Sequence, residues 1–233
     1  MSGCERLSQT TWFPHILDSA EPVTQALQHS LTDPHALARE YPPADLSAHF
    51  RSYGTHDPDD PAYARLAANG FADWRLEVTG LVQRPMSLTL AELRALPSRT
   101  QITRHDCVDG WSCIGKWKGA RLSGLLERVG VRPRARYVMF YCADPKGLSG
   151  DKYYESIDLG DAYHPQTILA YEMNDHTLGV PYGAPLHLRD ERQLGYKMAK
   201  YIRRIELVEE FSHIGGGHGG YWEDQGYAWY AGI

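Results

Sequence analysis

The chain has 233 residues and a formal net charge of −5, with 24 Lys and Arg against 29 Asp and Glu. That balance argues against nucleic acid as the main partner, because a phosphate-binding surface shifts a whole domain basic, and it makes any anion site local. Four cysteines are too few and too unevenly placed for a disulfide scaffold, and no apolar run approaches the roughly 20 residues that span a bilayer.

The start, MSGCERLSQT, has no hydrophobic core of a signal peptide. Gly3-Cys4 matches what remains when a lipoprotein signal is replaced by a starting Met, so Cys4 is either a lipid attachment point or an incidental thiol. Over residues 12–31, Ile16, Leu17, Ala20, Val23, Leu27 and Leu31 recur at spacings of three and four, which predicts an amphipathic helix in an N-terminal arm over 1–45. Residues 41–62 carry so many Pro, Asp and Gly that a long ordered loop is predicted.

In DWRLEVTGLV, Trp74, Leu76 and Val78 alternate onto one face, predicting a strand that turns at Gly80. Thr89 and Glu92 form a capping-box pattern opening a short helix, AELRAL, which Pro97 stops. TQITRH reads as a strand running into Cys107, and RLSGLLERVG as a helix ended by Gly130. RYVMFYCAD is a strand entering a loop at Asp144; TILAYEM, APLHLRD and YIRRIELVEE are further strands. Without a regular β–α repeat the expected class is α+β with mixed sheets, its body over 46–210. The tail at 211–233 is rich in glycine yet aromatic, which predicts docking on the body.

Chemistry concentrates in HDCVDGWSCIGKW, residues 105–117. His105, Cys107, Cys113 and Cys142 are zinc-ligand types, but the paired short spacings of a structural site are missing. Cys107 with His105 as base is a second option, a thiol hydrolase. A soft thiolate ligand for a redox metal is a third. In GYKMAKYIRR, Gly195, Lys197 and Lys200 bring backbone N–H groups and ammonium charges together in a manner suited to a phosphate.

Three stretches together, HDCVDGWSCIGKWKGARLSGLL at 105–126, ILAYEMN at 168–174 and GAPLHLRDERQLGYKMAKYIRRIEL at 183–207, resemble the molybdopterin-binding domain of the sulfite oxidase family over about residues 50–210. The resemblance implies a molybdenum held by the two dithiolene sulfurs of one pterin cofactor and by the thiolate of Cys107. It implies a cofactor phosphate gripped at Gly195, Tyr196, Lys197 and Lys200, with Arg51 near the metal. Tyr153 matches a tyrosine of the substrate pocket, and Tyr154 is its alternative.

The chain departs from the family pattern at Arg51-Ser52-Tyr53, where Asn usually follows the arginine, and at Tyr182 through His187, where His-Gly-x-Pro-x-Arg is common. The resemblance assigns the cofactor grip there to His187 and Arg189, with Arg189 compensating for the missing arginine. The segment after Cys107 passes compactly through Asp109 to Trp111, similar to the bacterial periplasmic methionine sulfoxide reductase branch, and an acid at the mouth disfavours a dianion. The family function implied is oxygen-atom transfer on a small substrate. With no haem-attachment or dinucleotide motif present, the expected electron partner is a separate cytochrome or haem membrane subunit. A periplasmic site and a monomer are also expected, since the dimerisation domain of animal and plant relatives has no counterpart after Glu209. A cofactor-poor binding module of the same fold, motivated by Tyr53, Tyr182 and His187, is the rival reading.

Overall fold

The computed structural model describes residue 33, residues 36–146 and residues 151–233; Cys4 and the helix predicted at 12–31 lie outside the described residues. One sheet runs β2 (Met86–Thr89), β1 (Arg75–Gly80), β10 (Ile202–Val208), β5 (Tyr137–Lys146) and β6 (Asp151–Asp158). Within it β1 and β10 are parallel and the other neighbours antiparallel. The second sheet runs β3 (Ser98–Asp106), β4 (Ser112–Arg121), β7 (Ile168–Met173) and β8 (His176–Thr177), with β9 (His187–Arg189) also pairing β7. Short helices α1 (Pro61–Ala68), α2 (Leu90–Arg94), α3 (Leu122–Val129) and α4 (Leu159–Tyr163) complete an α+β fold with mixed sheets, the class implied by the sequence.

Local chemistry explains these boundaries. The Thr89 hydroxyl accepts from Glu92 N–H at 3.0 Å while Thr89 N–H donates to Glu92 Oε2 at 2.8 Å, the reciprocal box that starts α2. In α3, Leu122, Leu125, Leu126 and Val129 form one fully buried stripe, each worth about 1.5–3 kcal/mol of apolar burial. Gly130, at φ +68°, ends the helix and donates to Leu126 O at 3.0 Å.

Two elements differ from expectation and a third, β6, was not predicted. The predicted loop ends at Asp60, whose carboxylate accepts from Ala62 and Tyr63 N–H at 2.7 and 2.9 Å and so caps α1, a helix the composition of the loop obscured. β5 continues past Asp144 to Lys146, with an irregularity in its pairing to β6 between Tyr141 and Pro145. β6 shows five consecutive buried residues, Tyr153 to Ile157, instead of alternation, because both of its faces are covered. The tail lies along that strand: Trp229 Nε1 donates to Ser156 Oγ at 2.8 Å, and Tyr154 bonds Asp224.

Candidate active site

A cleft of about 220 Å³ opens where six segments meet. Tyr53, Gly54 and Thr55 come from the loop before α1, and Cys107, Val108 and Asp109 from the β3–β4 turn. Asp144 and Tyr153 come from β5 and β6; Gly195, Tyr196, Met198 and Lys200 from the segment between β9 and β10; Trp222 and Tyr227 from the tail. The β3–β4 turn is closed by Cys107 N–H donating to Trp111 O at 2.9 Å and Gly110 N–H donating to Cys107 O at 3.0 Å. Gly110 adopts φ +83°, a conformation that a side chain would resist, and this holds the Cys107 thiol at the lip.

Cys107 is half-buried, and burial pushes its thiol pKa up. It therefore stays protonated at neutral pH until a positive charge is placed beside it. His105 gives no help as a base. A guanidinium can only donate, so the 3.1 Å contact from Arg189 Nη1 makes His105 Nδ1 the acceptor and puts the ring proton on Nε2. Burial first, then the charges of Arg189 and Lys200, hold His105 well below the usual histidine range, so it stays neutral. The hydrolase arrangement is thus not formed. Cys113 sits on β4, where it accepts Arg51 N–H at 3.5 Å, and Cys142 is in the core; no disulfide joins the described cysteines.

The fold gathers Cys107, Tyr153, Gly195, Tyr196 and Lys200 around one cleft. Tyr154, the alternative to Tyr153, points to the opposite face and the tail. Other residues singled out from the sequence lie behind the wall or at the rim. Arg189 is fully buried, donating to both Glu191 oxygens at 3.0 and 2.7 Å, with its guanidinium 4.5 Å from the Trp117 ring centroid. Lys197 is sealed between Glu155 and Glu223 at 2.5 and 2.6 Å. Lys200 lines the cleft but directs its ammonium to Tyr53 O, Thr55 O and Pro181 O at 2.7, 2.5 and 2.8 Å, clamping the 53–55 loop in place. Arg51 is exposed at the rim, its guanidinium 5.1 Å from the Trp111 ring centroid.

The two departures from the family pattern touch. Tyr53 Oη lies 2.7 Å from His187 Nε2, and the Tyr53 ring stacks on His105 with centroids 4.2 Å apart. Tyr182 Oη donates to Phe50 O at 3.1 Å, closing the same loop from the other side. The sequence pattern marked Tyr53, Tyr182 and His187 one by one and carried no sign that they form one network.

The donor set fits a cofactor that brings its own sulfur-held metal. A soft thiol stands at the lip. The buried His105 Nε2 has no hydrogen-bond partner among the described residues. Gly195 lets the backbone pack directly on that ring: a Cβ there would lie 2.2 Å from His105 Cε1 and 2.4 Å from Nε2.

A family profile described as "Oxidoreductase molybdopterin binding domain" matches residues 64–214. A protein of Azospira oryzae, provisionally named a protein-methionine-sulfoxide reductase subunit, YedZ1, is 42% identical over 206 residues, or 88% of this chain and 72% of its own. The protein-methionine-sulfoxide reductase catalytic subunit MsrP of Xanthomonas campestris pv. campestris is 34% identical over 170 residues, 69% of this chain and 52% of that protein, so the chain spans about half its length. The crystal structure of the sulfane dehydrogenase SoxCD from Paracoccus pantotrophus aligns with a TM-score of 0.53 at 23% identity, over 60% of this chain and 39% of that one, a likeness of fold.

Proposed function

The chain belongs to the family of oxidoreductase molybdopterin-binding domains, and on that premise we propose that it reduces a small neutral sulfoxide to the thioether, with electrons from a separate haem protein. The charge of the cleft carries this reading. Its wall holds two carboxyl groups, Asp109 and Asp144, while its ammonium, Lys200, is turned to backbone carbonyls. Tyr53, Tyr153, Tyr196, Trp222 and Tyr227 supply aromatic surface and hydroxyls. A dianion such as sulfite meets like charge there, whereas a polarised neutral S=O group and its methyl suit hydroxyl donors and aromatic faces. The names of the two relatives, both protein-methionine-sulfoxide reductase subunits, support the same substrate class.

When bound, the cofactor would supply a two-electron redox metal held by its dithiolene sulfurs and by the Cys107 thiolate. The protein's own part follows from the geometry. Cys107 would hold the metal as its thiolate, and the partnerless His105 Nε2–H would be the buried donor of the wall on which the cofactor rests. Tyr153 orients the substrate oxygen from the side, and Lys200 holds the Tyr53 loop that closes the cleft. Arg51, over Trp111, guards the entrance. In the net reaction the S–O bond breaks, two electrons and two protons are consumed, and thioether and water leave.

The test uses holoenzyme from a host that makes the cofactor. With a reduced viologen as donor, turnover is expected on methionine sulfoxide and dimethyl sulfoxide, and sulfite oxidation with ferricyanide as acceptor should be slow or absent. Rapid sulfite oxidation without sulfoxide turnover overturns the proposal. Cys107→Ser should lose turnover, and an active Ser variant with normal molybdenum content contradicts the ligand role.

A further inference from the structure

Behind Tyr153 lie two carboxylates and one ammonium with no access to water. Lys197 Nζ is 2.5 Å from Glu155 Oε1 and 2.6 Å from Glu223 Oε1, and the side chains of Lys197, Glu155 and Glu223 are 1%, 0% and 0% exposed. Gly220 seals the pair, since a Cβ there would lie 2.0 Å from Glu223 Oε2 and 2.7 Å from Glu155 Oε1. One ammonium cannot neutralise two sealed anions. Glu223 and Lys197 are the charged groups that act on Glu155, and the neighbouring Tyr153 and Tyr154 feel Cys142, Asp144 and Asp224 besides the two glutamates, none of them a second cation. One carboxyl of the pair therefore carries a proton.

The hydrogen-bond geometry says which oxygen. Tyr153 Oη is 2.5 Å from the Tyr196 carbonyl and 3.4 Å from Glu155 Oε2. A single phenol proton cannot serve two acceptors, and the shorter contact takes it. Glu155 Oε2, 3.4 Å away, is then left facing the phenol oxygen, an arrangement that the acid form satisfies by donating. Burial first, then the Glu223 charge, raise the Glu155 carboxyl well above the ordinary range, in agreement with that assignment. Tyr153 and Tyr196 both line the cleft, so the buried acid is one phenol away from the place where substrate binds.

We propose that Glu155 holds a proton beside the Glu223–Lys197 ion pair and that Tyr153 passes it to the substrate oxygen, which makes Glu155 and Glu223 positioning residues for sulfoxide reduction. This rests on the function proposed above. Tyr153 swings its O–H bond from Tyr196 O to the substrate oxygen and gives up that proton as it takes the one on Glu155. The second proton comes from solvent through the cleft mouth, the two electrons from the external haem donor, and the S–O oxygen leaves as water. Lys197 holds both anions until a proton taken up from the cleft returns to Glu155 through Tyr153.

Two measurements on the full chain decide it. Infrared spectra of the protein, with and without cofactor, should contain the carbonyl stretch of a buried carboxylic acid at neutral pH, lost in Glu155→Gln; its absence from the wild type overturns the proposal. In holoenzyme normalised to molybdenum content, with methionine sulfoxide and a reduced viologen, Glu155→Gln should lower kcat roughly tenfold or more. KM should hold, the alkaline limb of the pH profile should flatten, and Glu155→Asp should recover part of the rate. Gln resembles the neutral acid, so folding is retained. Wild-type kcat and pH profile in Glu155→Gln overturn the relay. If wild-type holoenzyme reduces no sulfoxide, the proposed function falls instead, and the infrared band alone then upholds or overturns the stored proton.

Discussion

Gly195→Ala places a methyl group in the inner wall of the cleft. Its carbon would stand 2.2 Å from His105 Cε1 and 2.4 Å from Nε2, so the ring or the backbone must move by roughly 1 Å to regain ordinary contact. The ring is not free to move. One face stacks on Tyr53 at 4.2 Å, Nδ1 is bonded to Arg189 at 3.1 Å, and Phe50 and Trp111 stand with ring centroids 5.9 and 5.5 Å away. Overpacking of this kind costs about 1–3 kcal/mol, and losing the bond from the guanidinium costs about 1.5–3 kcal/mol. The structure relieves one strain by incurring the other, so the net loss should be about 2–3 kcal/mol, or about 5–10 °C in Tm for a domain of this size. Urea and thermal unfolding of the cofactor-free protein measure that loss, and elemental analysis should report a fall in bound molybdenum. Gly124→Ala is the control: its Cβ meets only Pro97 Cδ at 3.9 Å within α3, and it should stabilise by about 0.5–1 kcal/mol. If Gly195→Ala unfolds with the wild type and loads metal normally, the tight inner wall is refuted.

Arg189→Met leaves Glu191 sealed with Gln101 as its remaining donor at 2.9 Å, and should cost about 3–5 kcal/mol in urea unfolding; a loss below about 1 kcal/mol would mean the buried pair is not formed. Tyr53→Phe removes the hydroxyl 2.7 Å from His187 Nε2 and should cost about 1–3 kcal/mol, with a wild-type melting curve as the contrary result. For pH dependence, Glu155 has its folded pKa raised above its unfolded value, so its contribution is whole below the ordinary carboxylate range and is lost as pH rises towards the folded pKa. Asp190 is raised by burial too and adds the same sign of slope. The difference in unfolding free energy between wild type and Glu155→Gln should therefore shift by about 1.4 kcal/mol per pH unit above about pH 5. Parallel stability–pH curves for the two proteins would show that Glu155 is ionised in the fold.

Where local rules govern, the sequence is transparent. The Thr89–Glu92 box, the apolar stripe of α3 and the alternation of Trp74, Leu76 and Val78 each depend on residues a few positions apart, and each forms as read. β6 was opaque for a physical reason: burial on both faces erases the period of two, leaving a run that could serve a strand or a helix. The Asp60-Pro61 start of α1 was visible as a cap but lay within a stretch whose composition reads as loop. In the cleft, the family resemblance pointed to Cys107 and Tyr153. Which lysine faces the cleft could not be read, because Lys197 and Lys200 differ only in their partners. Those partners, Glu155, Glu223 and three backbone carbonyls, lie 26 or more residues away for Lys197 and 19 or more for Lys200. Trp222 and Tyr227 entered the cleft wall by the same kind of long-range packing.

The placement of charge connects fold to chemistry. A cleft built to attract an anion would present its arginines and lysines as free donors, and here the buried ones are spent inward. Arg189 satisfies Glu191 and His105, Lys197 satisfies two glutamates, and Lys200 binds the loop carbonyls. Their charge still acts at short range. Burial first, then Arg189 and Lys200, keep His187 as well as His105 well below the usual histidine range. Both imidazoles are therefore held neutral, able to stack on or bond Tyr53 without adding positive charge to the wall. What reaches the cleft surface is a thiol, phenol groups, an indole and two carboxyl groups. Under the proposed function such a surface offers hydrogen bonds and aromatic contact to a polarised neutral group, while Arg189 stays committed to Glu191, and freeing it carries the stability cost just predicted for breaking the pair.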